Sequence, residues 1–285
     1  MILKQILASL FRLFFKIKAF ERHFFGVHKR IIQPLNLFKG VTKTISFENE
    51  LILELQIQDW IPQQLYFLGK YEERELKFVS KALRPGDVFI DIGANIGLFS
   101  LVASRLVEDT GRIYAFEPFS SNYNKLTAHI ARNGITNIIA EQLAISSGEF
   151  SITLGGTGIG MNSGMISEFS ITAETAETVD ATSLDKYRSL HLNRPVRMVK
   201  MDIEGGEYNA LKGMERTLSH DRPILLMELD DKLLFNAGTS SKTIEEWLNG
   251  FGYLKRFLDK DGNICSLKHP DNDTFNFVFI PGSSA

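Results

Sequence analysis

Two stretches of this chain hold acids, glycines and an asparagine where a packed core has no need of them. The first is VFIDIGANIGLFS, residues 88–100. It begins as an apolar strand, turns on Gly93, Asn95 and Gly97, and restarts as a helix, with Asp91 beside the turn. The second is VKMDIEGGE, residues 199–207, which ends a strand-like run with Asp202, Glu204 and Glu207. A strand-to-helix turn offers free N–H groups and the positive end of a helix dipole, which suit a carboxylate or phosphate. Carboxylates at a strand tip suit proton transfer from a hydroxyl, or a divalent cation.

Two ligand classes compete for the first turn. A dinucleotide site wants G-x-G-x-x-G, whose middle glycine admits a pyrophosphate. Asn95 stands at that middle position, and Asp91 puts a negative charge beside it. An amino-acid-bearing nucleoside fits better: Asp91 meets an ammonium and the helix start meets a carboxylate. S-adenosylmethionine (SAM) carries both groups. Gly93, Ala94, Asn95 and Gly97 would form the cradle, the glycines leaving room for a ligand to approach. Glu117 ends the next strand-like run, 20 positions after Gly97. That matches the roughly 20-residue offset of an acid that holds ribose hydroxyls. Leu143, Ala144 and Ile145, after the third run, are candidates for an apolar wall beside an adenine; the plain alternative is ordinary core. No G-x-x-x-x-G-K-[ST] occurs, which excludes a P-loop.

At the second stretch, a buried parallel strand should be apolar throughout. Asp202 and Glu204 are the candidates to face a reactive centre. Glu207 competes with a simpler role at the start of the next helix. Lys200 is unexpected inside a strand and is a natural partner for one of the acids. No [DN]-P-P-[YFW] follows, so an oxygen acceptor is favoured over an exocyclic amine. Glu228 ends the fifth run and is a further candidate for the same cleft. The six histidines have no metal spacing, and His129, within a helix, is expected at the surface.

The elements that must position these residues alternate. Strand-like runs cover 88–92, 112–116, 138–142, 196–203 and 223–229, and helix-like runs cover 71–84, 98–107, 121–133, 207–218 and 241–251. That alternation is the mark of a doubly wound α/β sheet covered on both faces. A terminal antiparallel pair is expected at 253–258 and 275–280, a hairpin at 43–58, and a glycine-rich surface loop at 154–165. Ligands in such a sheet sit beyond the carboxyl ends of the strands.

The chain has 285 residues, 44% of them hydrophobic, and a net charge of -2. That is enough for one large domain with an extension. The single cysteine, Cys265, excludes an intrachain disulfide framework and a cysteine-rich metal site. Charge is uneven: residues 1–40 carry eight Lys or Arg and one Glu, a balance of +7 that leaves -9 elsewhere. Residues 1–40 read as a basic amphipathic helical extension, and 41–285 as the catalytic domain. Along the first helix Ile2, Leu3, Ile6, Leu7, Leu10, Phe11, Phe14 and Phe15 recur at helical spacing. Such a helix either packs on protein or lies on an anionic membrane through residues 1–25. Basic residues interrupt every apolar run, so neither a membrane span nor a secretory signal is expected. A cytoplasmic protein with peripheral membrane contact is the corresponding expectation.

Taken in order, GKYEERELKFVSKALRPGDVFIDIGANIGLFSL, IYAFEPFSSNYNKL, MNSGM, VDATSLDKY, VRMVKMDIEGGEYNALKGM, PILLMEL and FNFVFIP resemble the FkbM family of SAM-dependent methyltransferases, across roughly residues 69–281. The resemblance implies a class I methyltransferase fold, Rossmann-like, with seven strands of which the last is antiparallel. It also implies O-methylation of sugars or secondary metabolites, with Asp91, Gly93, Asn95, Gly97 and Glu117 as SAM contacts and DIEGGE as the active-site strand tip. The expected function is therefore methyl transfer from SAM to a hydroxyl of a glycan or small metabolite. The rivals are a non-catalytic SAM-binding subunit at a membrane and an RNA ribose methyltransferase. The acidic bulk of the chain counts against a nucleic-acid partner.

Overall fold

The structure, a computed structural model, describes residues 2–48, 50–156, 166–167, 176–266 and 275–282. Their contacts divide them into two compact units. The first holds the described residues up to Glu72, and the second those of Glu73–Gly155 and Ile166–Ala285.

In the first unit, helix α1 (Ile2–Phe15) leads into the short helices α2 (Lys18–Glu21) and α3 (Phe24–Val27) and a π-helical turn at His28–Ile32. A hairpin follows, β1 (Thr42–Phe47) and β2 (Leu51–Gln56), with Phe47 opposite Leu51, and then helix α4 (Trp60–Phe67). Burial alternates strictly along β2, so Leu51, Leu53 and Leu55 face inward. Aromatic rings fill the interior: Phe11, Phe15, Phe24 and Phe38 all pack against Phe67. The hairpin, grouped with the catalytic domain in the sequence reading, thus belongs to a unit with the N-terminal helices.

The second unit alternates as expected. Its elements are α5 (Glu73–Ala82), β3 (Val88–Ile92), α6 (Leu98–Val107), β4 (Arg112–Phe116), α7 (Ser120–Arg132), β5 (Ile138–Glu141), β6 (Ala144–Ile145), β7 (Phe150–Gly156), β8 (Ile166–Ser167), β9 (Glu177–Thr182), α8 (Leu184–His191), β10 (Met198–Met201), α9 (Glu207–Lys212), α10 (Glu215–His220), β11 (Ile224–Glu228), α11 (Asp231–Asn236), α12 (Ser241–Gly250), β12 (Tyr253–Leu258), β13 (Ile264–Cys265) and β14 (Asn276–Pro281). The main sheet has the order β13-β12-β14-β11-β10-β3-β4-β5. The five strands from β11 to β5 are parallel. The last strand, β14, runs antiparallel between β11 and β12. This is the class I methyltransferase sheet, extended at one edge by the two-residue β13. All five residues of β3 are buried, as a central parallel strand requires.

Three features differ from the expectation. A small second sheet, β6-β9-β7-β8, follows β5. Its longer strands do alternate, Phe150-Ser151-Ile152-Thr153-Leu154 in β7 and Val179-Asp180-Ala181 in β9, and Ile152, Leu154, Val179 and Ala181 share one small core. The expected surface loop at 154–165 begins inside β7; its remainder lies outside the described residues. The helix expected at 207–218 is two helices. Gly213 breaks it where a Cβ would stand 2.0 Å from the Ser146 carbonyl oxygen. Asp185 then caps α10, accepting from the Arg216 and Thr217 N–H groups at 2.7 and 2.8 Å.

Candidate active site

β10 lies between β3 and β11, with Lys200 opposite Asp91 on one side and Leu226 on the other. The carboxyl ends of β3 and β10 therefore finish together. The Asp202 N–H donates to the Ile92 carbonyl at 3.1 Å. A Cβ on Gly93 would stand 2.0 Å from the Asp202 carbonyl oxygen, and one on Gly97 would stand 2.4 Å from Leu126 Cδ1. Both glycines have positive φ, 79° and 90°. The two stretches singled out in the sequence thus touch. The glycine requirement comes from protein packing on protein and from backbone conformation, rather than from clearance for a ligand.

The turn between them is held from β4. Glu117 is buried; its Oε2 accepts the Asn95 N–H at 2.8 Å and its Oε1 accepts the Phe119 N–H at 3.0 Å. Burial pushes its carboxyl up to about 7, against the pull of those N–H groups. The Asn122 side chain adds a further hydrogen bond to this carboxylate. Asn95 has φ 52° and accepts the Ile96 N–H on its own Oδ1. His129, expected at the surface, is buried, with Nδ1 2.8 Å from the Ile96 carbonyl. It braces the turn from α7.

Asp91 has no exposed surface. Its Oδ2 accepts from Ser100 Oγ at 2.6 Å, while its Oδ1 has no hydrogen bond among the described residues. Burial raises its carboxyl above the ordinary range, and the Lys200 charge opposes this. Beside it, α6 begins at Gly97 with no side-chain cap and no acid in its first turn.

The strand tip of β10 is strongly electrostatic. Lys200 is buried, with Nζ 3.3 Å from Asp202 Oδ2 and 4.9 Å from the centre of the Phe99 ring. Burial alone would raise the Asp202 carboxyl. The Lys200 charge, a hydrogen bond shared with Glu228 and the Lys200 contact outweigh it and hold Asp202 below the ordinary carboxylate range. Glu204 is the opposite case. Burial, then the charges of Asp202, Glu207 and Asp230, push it up to about 8. It sits at φ 53°, a left-handed conformation kept by the turn around it. Asp202, Glu204 and Glu228 bring carboxylate oxygens within 4.8 Å of one another, an arrangement open to proton exchange or to a divalent cation.

Glu207 stands apart from these three. It is buried at the start of α9, where Oε1 accepts the Ile203 N–H at 3.1 Å and Oε2 the Gly205 N–H at 3.0 Å. Burial pushes it up to about 7. Its two oxygens close the turn that carries Glu204, so the structure gives it a holding role. Ala144 packs with Leu154, Val179 and Ala181 in the core of the small sheet, and Ile145 lies in the core of the main one.

The family model described as the methyltransferase FkbM domain matches residues 91–255, a span that starts at Asp91 and takes in the glycine turn and the whole second stretch. The chain belongs to the FkbM methyltransferase family. The hexuronic acid methyltransferase AglP of Haloferax volcanii is 27% identical over 148 residues, covering 52% of this chain and 58% of that protein. The 31-O-demethyl-FK506 methyltransferase FkbM of Streptomyces tacrolimicus is 42% identical over 65 residues, covering 22% of this chain and 24% of that protein. The matches therefore span less than two thirds of either relative. A solved structure of a methyltransferase FkbM from Methylobacillus flagellatus aligns with a TM-score of 0.46 at 14% identity, over 76% of this chain and 52% of that one.

In this FkbM chain the first junction leaves two valences open, and they differ in sign. One is the enclosed Asp91 Oδ1; the other is the start of α6, where Gly97 has no side chain to cap the helix, although Asp91 takes the Ser100 N–H. An amino-acid zwitterion complements both. The Asp91 contact forms only if the side chains covering that oxygen give way. These residues fit the methionine end of SAM, and the Glu117 carboxylate, as a hydrogen-bond acceptor at the end of β4, fits its ribose.

Proposed function

We propose that this chain is a SAM-dependent O-methyltransferase acting on a hydroxyl of a sugar, glycan or small metabolite. The observation that carries the reading is the meeting of the glycine turn at Gly93 with the acidic tip at Asp202. The residues fitted to SAM and the carboxylates able to take a proton are backbone neighbours. The names of the two relatives, one acting on hexuronic acid and one on an O-demethylated compound, favour an oxygen acceptor.

When bound, SAM supplies an already activated methyl group. The chain's own work is then alignment and proton management. Asp91, the Gly93–Gly97 turn and Glu117 hold the nucleoside; Ala94 contributes backbone there. Ala144, packed in the small sheet, is left out. Asp202, kept ionised by Lys200, accepts a hydrogen bond from the acceptor hydroxyl and orients it. Glu204, whose carboxyl titrates at about 8, takes the proton on a carboxylate oxygen. Glu207 positions Glu204 through the turn. No step requires a divalent cation.

The test is methyl transfer from SAM to a panel of sugars and uronic acids, read by mass. Asp202→Ala and Glu204→Ala are expected to lower turnover at least about a hundredfold while SAM binding changes little. Unchanged turnover in both variants would remove the proposed base.

A further inference from the structure

Helix α1 has two apolar faces, and among the described residues only one is buried. Ala8 and Phe15 are buried, and Phe11 packs on Phe38 at 5.6 Å between ring centres. At about 100° per residue, Ile2, Leu3, Ile6, Leu10, Leu13 and Phe14 fall on a single arc of about 120° opposite that buried stripe. All six are exposed, Ile2 by 77%, Leu3 by 78% and Leu13 by 65%. The surface continues past the helix end, where Phe14 stacks on Phe20 at 4.1 Å and Ile17 is exposed beside them. An outer helix face in water is normally polar, and a contiguous apolar patch of this kind marks a docking surface.

Charge selects the occupant. Lys16, Lys18, Arg22, Lys29 and Arg30 are exposed along the following segment. The one acid in residues 1–40, Glu21, is paired with Lys70. Two copies of such a basic surface would repel each other, which disfavours self-association through it. No helix among the described residues is long and apolar enough to cross a membrane. We propose that α1 and the segment to Phe25 lie in the plane of an anionic phospholipid surface, with the outer apolar arc inserted and the lysines and arginines at the headgroups. The acceptor would then be met at a membrane face.

The test uses the full chain and sedimentation with vesicles of phosphatidylglycerol and phosphatidylcholine, against vesicles of phosphatidylcholine alone. Binding to the anionic vesicles is expected, weakened by added salt. Leu3→Glu with Leu10→Glu should reduce it by about tenfold or more, and so should Lys16→Glu with Lys18→Glu. Both substituted sites are exposed, so an unchanged melting temperature should show that each variant folds. A monomer that stays in the supernatant when the anionic vesicles pellet would overturn the proposal. So would equal binding to both vesicle types, or a dimer that Leu3→Glu with Leu10→Glu dissociates.

Discussion

Lys200 Nζ lies 3.3 Å from Asp202 Oδ2, beneath a strand tip where one buried cation faces several acids. The Lys200 charge also acts on Asp91, Glu75 and Glu204, lowering each. Removing it takes the opposing charge from buried Asp202, Asp91 and Glu204, while Glu75 keeps Arg74. Lys200→Met is therefore expected to cost about 3–5 kcal/mol at pH 7.5. Without the lysine the acids regain their protons more easily, so the loss should shrink at pH 5. Denaturant unfolding at both pH values checks this. An equal loss at both would mean that lysine packing, rather than charge, matters there.

Glu204 should control the pH dependence of turnover. It must be ionised to accept a proton, and its carboxyl is held at about 8. The expected kcat rises with pH and levels off above that value. Glu204→Gln should lower kcat and remove the inflection, whereas Asp202→Asn should lower kcat and leave an inflection. A wild-type profile flat from pH 6 to 9 would exclude Glu204 as the base.

Glu207 should behave as a brace. Replacing it by Gln keeps one acceptor for the Ile203 or Gly205 N–H and sets an NH2 against the other. A stability loss of about 1–3 kcal/mol is expected, with SAM affinity little changed. Thermal unfolding and calorimetry separate the two readouts. A large loss of kcat at full stability would put Glu207 back among the proton-transfer groups.

Stability itself should fall as pH rises through neutrality. Glu117, Glu204 and Glu207 have folded-state carboxyls at about 7, 8 and 7, above the ordinary value of 4.5. The folded chain therefore binds more protons than the unfolded chain between that value and the folded ones, and stability is lost across the interval. The ligand-free protein should melt at a lower temperature at pH 8.5 than at pH 5.5. Glu204→Gln, which cannot titrate, should flatten that slope.

The main sheet was legible because its strands are apolar runs separated by helical periods, and each run from 88–92 to 275–280 has a strand counterpart. Asp91, Glu117 and Asp202 were legible because an acid ending a buried strand stands out against apolar neighbours. The role of Gly93 was not: sequence shows a glycine, but only the register of β3 against β10 shows the Asp202 carbonyl over it. His129 was missed because its partner, the Ile96 carbonyl, is 33 residues away. For Glu207 the helix-start alternative read from the sequence is the one its hydrogen bonds support. The turn separates it from Glu204, turning Glu207 back on its own backbone and leaving Glu204 beside Asp202. Along α1 a single apolar stripe was read, whereas packing divides it into a buried and an exposed face.

Calorimetric titration of SAM, S-adenosylhomocysteine and NAD into the wild type and Glu117→Ala tests the central claim most directly. Saturable binding of the two sulfur nucleosides and not of NAD, weakened about tenfold or more in Glu117→Ala, is the predicted result. A folded wild type that binds neither sulfur nucleoside, or that binds NAD in their place, would contradict the account.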